Sequence, residues 1–141
     1  MPVDYGYLIC PFAAWLAAGG LKFIINSLRA GKWAFSLIGY GGLPSNHSAI
    51  VSSMTSLIAL KEGIQHPAFG VALTLAFIVI LDASSLRKQI GKQAQVLNQL
   101  TKATQIKSEL RERVGHTITE IIAGIVVGVV IASLIVRTPS F

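Results

Sequence analysis

Between Thr117 and Val136 the chain runs for twenty residues with one ionisable side chain, Glu120. A helix of about 20 apolar residues, rising ~1.5 Å each, crosses the hydrocarbon core of a bilayer. Three further apolar runs, at about 7–28, 48–61 and 67–82, precede it. Inside lipid every backbone N–H and C=O must find a partner within the protein, which leaves helices as the form for runs of this length. The composition agrees: 13% of residues are charged and 52% hydrophobic, against about 25% charged in soluble domains. The expected fold is therefore an all-α integral membrane protein. It is a small bundle of about four transmembrane helices, in a single domain over residues 1–141.

The runs differ in character. The first carries Pro11 near its first turn, where proline is tolerated, and Gly19-Gly20, which allow close helix contact or a bend. Lys22 and Arg29 stand seven residues apart, near one helical face; the plain reading is snorkelling anchors. The second run is rich in Ser and Thr and short for a full span. It is expected to begin at depth, with its N-terminus in a protein-lined cavity. His66 reads as an ordinary loop histidine. The third run ends at Asp82. Residues 83–113 then hold Arg87, Lys88, Lys92, Lys102, Lys107, Arg111 and Arg113 against Glu109 and Glu112. Leu86, Ile90, Ala94 and Leu97 recur at helical spacing, predicting a basic amphipathic helix that continues from the third run. A polar connector is expected from Gln99 to Ser108. In the fourth run Gly124 and Gly128 form a GxxxG pattern that favours close packing, and a homo-oligomer built on that face is expected.

Cys10 is the single cysteine, so no internal disulfide can form, and no Cys/His spacing resembles a structural zinc site. Asp4 stands where the positive n-region of a signal peptide would be. The net charge of +6 lies between apolar runs and not on a soluble basic face, which argues against nucleic acid and for membrane lipids as partners. With four crossings, the loop at 29–47 and the segment at 83–116 share one side. That side holds most of the lysines and arginines, so by the positive-inside rule it is cytoplasmic. His47, Asp82, Arg87, His116 and Glu120 all fall near that face.

One stretch stands out there: Gly41-Gly42-Leu43-Pro44-Ser45-Asn46-His47-Ser48-Ala49. Pro44 cannot continue a helix, and Ser45 or Asn46 is a favoured N-cap, so a tight loop opens into a helix. Such a helix start attracts phosphate, although a capped turn between helices is the plain alternative. Gly115-His116-Thr117 is a second glycine-punctuated helix start. Two histidines at helix starts, several arginines and a carboxylate four residues after the second histidine suggest phosphoryl chemistry. Arginine neutralises phosphate, and one histidine can be nucleophile while the other protonates the leaving oxygen. A carboxylate orients the nucleophilic ring. His47, Asp82, His116 and Glu120 could instead hold a metal.

The chain resembles the type 2 phosphatidic acid phosphatase and vanadium haloperoxidase superfamily, and in particular its small divergent membrane branch, from about Lys22 to Gly128. The superfamily's K-x6-R-P is present as Lys22 and Arg29, with Ala30 for proline. Its P-S-G-H stands here as Pro44-Ser45-Asn46-His47. The H-x3-D end of its third motif stands as His116 and Glu120, while Leu110 occupies the arginine position. The divergent branch shows Asp-x4-Arg, here Asp82 and Arg87, then Gly91, Gln93, Ala94, Leu97 and Asn98. The resemblance implies His116 as nucleophile, Glu120 as its orienting partner and His47 as general acid. It implies that Lys22, Arg29, Ser45 and Asn46 hold the phosphate, with Arg87 supplying the missing guanidinium and Asp82 and Ser48 as further site residues. The implied activity is a membrane phosphatase acting on a lipid phosphate or pyrophosphate through a phospho-histidine, with no cofactor or metal. The departures at positions 30, 46 and 110 favour a second reading, a non-catalytic binding, transport or assembly protein on a degenerate scaffold. A haloperoxidase is a third.

Overall fold

The computed structural model describes residues 4–33, 35, 42–102 and 110–138, and every regular element among them is helical. Gly41, Lys107 and Glu109 lie outside the described residues. Helix α1 covers Gly6–Ala30 and closes on Gly31, whose left-handed φ of 63° lets its N–H reach the Leu28 carbonyl; glycine adopts that conformation without Cβ strain. Pro11 is the sixth residue of α1 and so lies past its first turn. Helix α2 covers Asn46–Lys61, two residues longer at its start than expected, and Ser45 caps it by accepting the Ser48 N–H. Helix α3 (Pro67–Leu81) starts with proline at its first position and His66 as N-cap, the His66 ring accepting from the Ala68 N–H. His66 is thus a capping residue.

From Pro67 the chain stays helical for 36 residues, to Lys102. Residues Asp82–Leu86 form a π turn within this rod, and α4 (Arg87–Lys102) follows. Helix α5 covers Ile118–Arg137 and opens with a capping box, Thr117 accepting the Glu120 N–H and the Glu120 carboxylate accepting the Thr117 N–H. That arrangement satisfies two orphan donors at once.

Among the described residues three helices are long and apolar enough to cross a membrane: α1, the Pro67–Lys102 rod and α5. The chain is an integral membrane protein. The expected fourth crossing, α2, has 16 residues, about 24 Å at 1.5 Å per residue, and is not among the three. It is the central helix, packed on α1, α3 and α5, while α1 also touches α5.

Small side chains make this packing close. Ser45, Ser48, Ala49 and Ser52 line one edge of α2 at helical spacing, and all are buried. Gly124 and Gly128 of α5 lie against them: a Cβ at Gly128 would stand 2.5 Å from the Ala49 carbonyl oxygen and 2.7 Å from the Ser53 nitrogen. The GxxxG face expected to mediate oligomers is therefore taken up inside the chain by α2. Two core clusters sit below it, Cys10 with Leu57 and Ala132, and Ala14 with Ala18 and Ala49.

At the end of the bundle away from His47 and His116, Lys61 pairs with Asp4 and lies 5.1 Å over the Tyr7 ring, while the Tyr7 hydroxyl donates to Glu62. The Lys61 ammonium and the Gly6 N–H hold the Asp4 carboxyl below its usual range. On α4 only Ala94 of the expected apolar edge is packed. Leu86, Ile90 and Leu97 are exposed, while Gly91 and Ala94 are buried.

Candidate active site

The N-termini of α2 and α5 meet at one end of the bundle. The Ser45 N–H donates to the Glu120 carbonyl at 2.9 Å, which joins the Pro44-Ser45-Asn46-His47 loop to the start of α5. The loop is also packed on α1, since a Cβ at Gly42 would lie 3.6 Å from the Asn26 side chain. The Ser48 hydroxyl donates to Ser45 Oγ at 3.0 Å, so both hydroxyls are engaged within the cap.

His116 is the better anchored of the two histidines. Its Nδ1 lies 3.0 Å from Glu120 Oε2, and both side chains are buried, at 8% and 10% exposure. The same oxygen accepts the Thr117 N–H at 3.1 Å. Glu120 thus closes the helix cap and orients the ring with one carboxylate. With Nδ1–H donating to the carboxylate, Nε2 carries the lone pair, and it has no hydrogen-bond partner among the described residues. Arg113 stands 3.8 Å from the other Glu120 oxygen with its side chain largely exposed, a weak pairing in water.

His47 faces His116 with ring centroids 6.4 Å apart. Its Nε2 lies 3.5 Å from a terminal nitrogen of Arg87, and the Arg87 Nε donates to Asp82 at 2.9 Å.

Asp82 and Arg87 meet because of the π turn. In a straight α-helix, residues five apart point ~140° away from each other. Between these two the backbone bonds i to i+5, the Arg87 N–H reaching the Asp82 carbonyl, and the side chains line up. Single π turns of this kind gather at functional sites. The turn also places the Ala83 carbonyl where it accepts the His116 N–H at 3.0 Å. Neither effect could be read from the residues, which carry no signal for a π turn.

The other expected residues divide. Lys22 is partly buried on α1, within electrostatic reach of His47 and Glu120. Asn46 begins α2 with its Oδ1 buried and unpartnered. Arg29 is exposed, about 10 Å further along α1 than Lys22, and makes no hydrogen bond or ion pair among the described residues. The structure brings His47, His116, Glu120, Arg87 and Asp82 together and does not bring Arg29 to them. Among the described residues no three His, Cys, Asp or Glu side chains are placed to hold a metal ion.

Sequence reasoning missed the run from Leu110 to His116, which lies along α4. The Asn98 amide donates to the Leu110 carbonyl and accepts the Leu110 N–H, each at 2.8 Å, and donates to Glu112 at 2.8 Å. A Cβ at Gly91 would collide with the Glu112 carbonyl oxygen, and one at Gly115 would stand 3.1 Å from the Lys88 nitrogen. Gly91, Ala94 and Asn98 were visible as part of the pattern of the divergent branch, but nothing in the residues indicated that they form one face or what lies on it.

Fold and site together define a helical membrane protein with paired histidines at two converging helix starts, one ring backed by a carboxylate and the other by an arginine. The chain belongs to the Divergent PAP2 family, which it matches over residues 3–131. It is similar to a Bacillus subtilis (strain 168) protein described as uncharacterized membrane protein YuiD, 30% identical over an alignment that covers 88% of this chain and 89% of that one. No solved structure matches.

Proposed function

We propose that the protein is a membrane phosphatase that hydrolyses a lipid phosphate or pyrophosphate through a phospho-histidine intermediate. The observation that carries this is the His116–Glu120 pair facing His47 and Arg87. His116 Nε2 attacks phosphorus, and the bond from phosphorus to the lipid oxygen breaks. His47 gives its proton to that oxygen, releasing the lipid alcohol; with a pyrophosphate the bridging oxygen takes the proton and the lipid monophosphate leaves. Water then attacks the phospho-histidine with His47 taking its proton, and phosphate leaves. Glu120 holds the Nδ1–H and stabilises the ring as it gains charge. Arg87 and Lys22 neutralise the phosphoryl oxygens, Ser45, Ser48 and Asn46 shape the helix start that receives them, and Asp82 steadies Arg87. In this reading α2 completes a fourth crossing, and the basic end of the bundle faces the cytoplasm by the positive-inside rule.

The test is phosphate release in detergent from phosphatidic acid, phosphatidylglycerophosphate and polyprenyl phosphates and pyrophosphates. The expected result is release by the wild type and none by His116→Ala. Equal release by both would remove the proposed nucleophile. The exposed position of Arg29 favours a second reading, lipid-phosphate binding without turnover, and saturable binding with no release is its signature.

The pH profile carries a further expectation. His47 must be protonated to act as acid, so kcat/KM should fall as pH rises through the His47 pKa. The Arg87 guanidinium stands 3.5 Å from His47 Nε2 and repels a charged ring, so Arg87→Gln should move the alkaline limb to higher pH while raising KM. An unmoved limb would mean that His47 is not the group being titrated.

A further inference from the structure

We propose that Asn98, at the far end of α4 from the site, is a positioning residue that sets where His116 stands; this rests on His116 being the nucleophile. Residues 110–116 form a strap, attached to the Pro67–Lys102 rod at both ends. At one end the Asn98 side chain pairs with both backbone groups of Leu110 and reaches Glu112. At the other the His116 N–H is bonded to the Ala83 carbonyl in the π turn.

Between these ends the strap turns once on itself, the Val114 N–H donating to the Glu112 carbonyl at 3.1 Å. With both ends bonded to the rod and this turn between them, few conformations remain, so holding Leu110 restricts His116. Between the ends the strap lies directly on the rod. Gly91 and Gly115 mark the two places where a Cβ would meet backbone, and Ala94, buried between Gly91 and Asn98, completes a flat face of small residues. The Asn98 amide is itself suited to a clamp. It offers a donor and an acceptor to one residue, as a neighbouring β-strand would, and its donor also meets the Glu112 carboxylate.

The strap carries Arg113 and Arg111 as well as His116. Arg113 lies near Glu120, and the charge of Arg111 is felt at Lys22. One side chain remote from the chemistry thus orders a segment that delivers a nucleophile and two guanidinium groups.

The test uses the full chain in detergent, with Asn98→Ala, the pair Asn98→Asp with Glu112→Gln, and Gln89→Ala on the exposed opposite face of α4 as control. Histidine labelled with nitrogen-15 reports the His116 ring directly, its signals assigned with His47→Gln and His66→Gln. Asn98→Ala is expected to shift or broaden the His116 Nδ1–H signal and to raise amide exchange at Leu110 and His116 at least tenfold. Exchange in α5 should stay unchanged. Turnover of the lipid phosphate should fall at least tenfold in kcat with KM within threefold. The paired substitution keeps an acceptor for the Leu110 N–H and reverses the donor and acceptor between 98 and 112, but loses the donor to the Leu110 carbonyl, and should recover part of both effects. Wild-type ring signals and exchange in Asn98→Ala would overturn the proposal, whatever the turnover. If the ring and exchange respond as expected while the wild type releases no phosphate, the clamp stands and the phosphatase reading fails.

Discussion

Alanine at position 116 is expected to lower phosphate release by about a thousand-fold or more, because the covalent route is lost with the nucleophile. Glu120 could not take over. Its Oε2 is held by the Thr117 N–H, and its burial keeps it at the foot of the ring and away from the gap between the histidines. Binding should survive better than turnover, since Arg87, Lys22 and the α2 N-terminus remain. The split would appear as a collapsed kcat with a KM changed by less than about tenfold. Rapid acid-free quenching with labelled substrate should trap phosphate on wild-type protein and none on His116→Ala. Trapping on the variant would place the covalent step elsewhere, and undiminished turnover would remove it.

Valine at Gly128 is expected to be the most damaging single change in the bundle. Even the first carbon of a side chain would lie 2.5 Å from the Ala49 carbonyl oxygen and 2.7 Å from the Ser53 nitrogen, both backbone atoms. Backbone cannot rotate aside as a side chain can, so α2 and α5 would have to separate. Overpacking of this kind costs on the order of 3 kcal/mol or more. The separation would also reach the Ser45–Glu120 bond at the site. Gly70 provides the contrast. A Cβ there meets nothing within 4 Å, and alanine in a helix is favoured over glycine by up to about 1 kcal/mol. Thermal unfolding in detergent should show Gly128→Val strongly destabilised and Gly70→Ala unchanged or slightly raised. Equal melting of Gly128→Val and wild type would mean that the two helices are not packed as described.

How much of this could be read beforehand depended on what kind of signal each element leaves. The apolar runs survive as helices to within two residues, because a bilayer permits little else for such runs. Ser45 as cap of α2 was one of two expected choices, and the His116–Glu120 pair followed from spacing. Asp82 and Arg87 were expected in the site, but their union depends on a π turn that no residue in Asp82–Leu86 announces. Arg29 matched a spacing pattern, yet two further turns of helix carry it beyond the cluster. The glycines of α5 promised a close partner without naming it. The matching small edge of α2 was present in the sequence as Ser45, Ser48, Ala49 and Ser52, and it decides for an internal partner. Leu110 stood at the place of the third-motif arginine, and the motif spacing gave no sign that this stretch lies along α4, held there by Asn98.

The bond from the Ser45 N–H to the Glu120 carbonyl links two main chains seventy-five residues apart. No ordinary side-chain replacement can delete it; only proline at position 45 removes the donor. The relation between the two helix starts is therefore robust to mutation in a way that side-chain contacts are not. Asparagine at 46 and glutamate at 120 sit on backbone whose spacing does not depend on them. A site built on such a joint can change the chemistry of its side chains while keeping their distances.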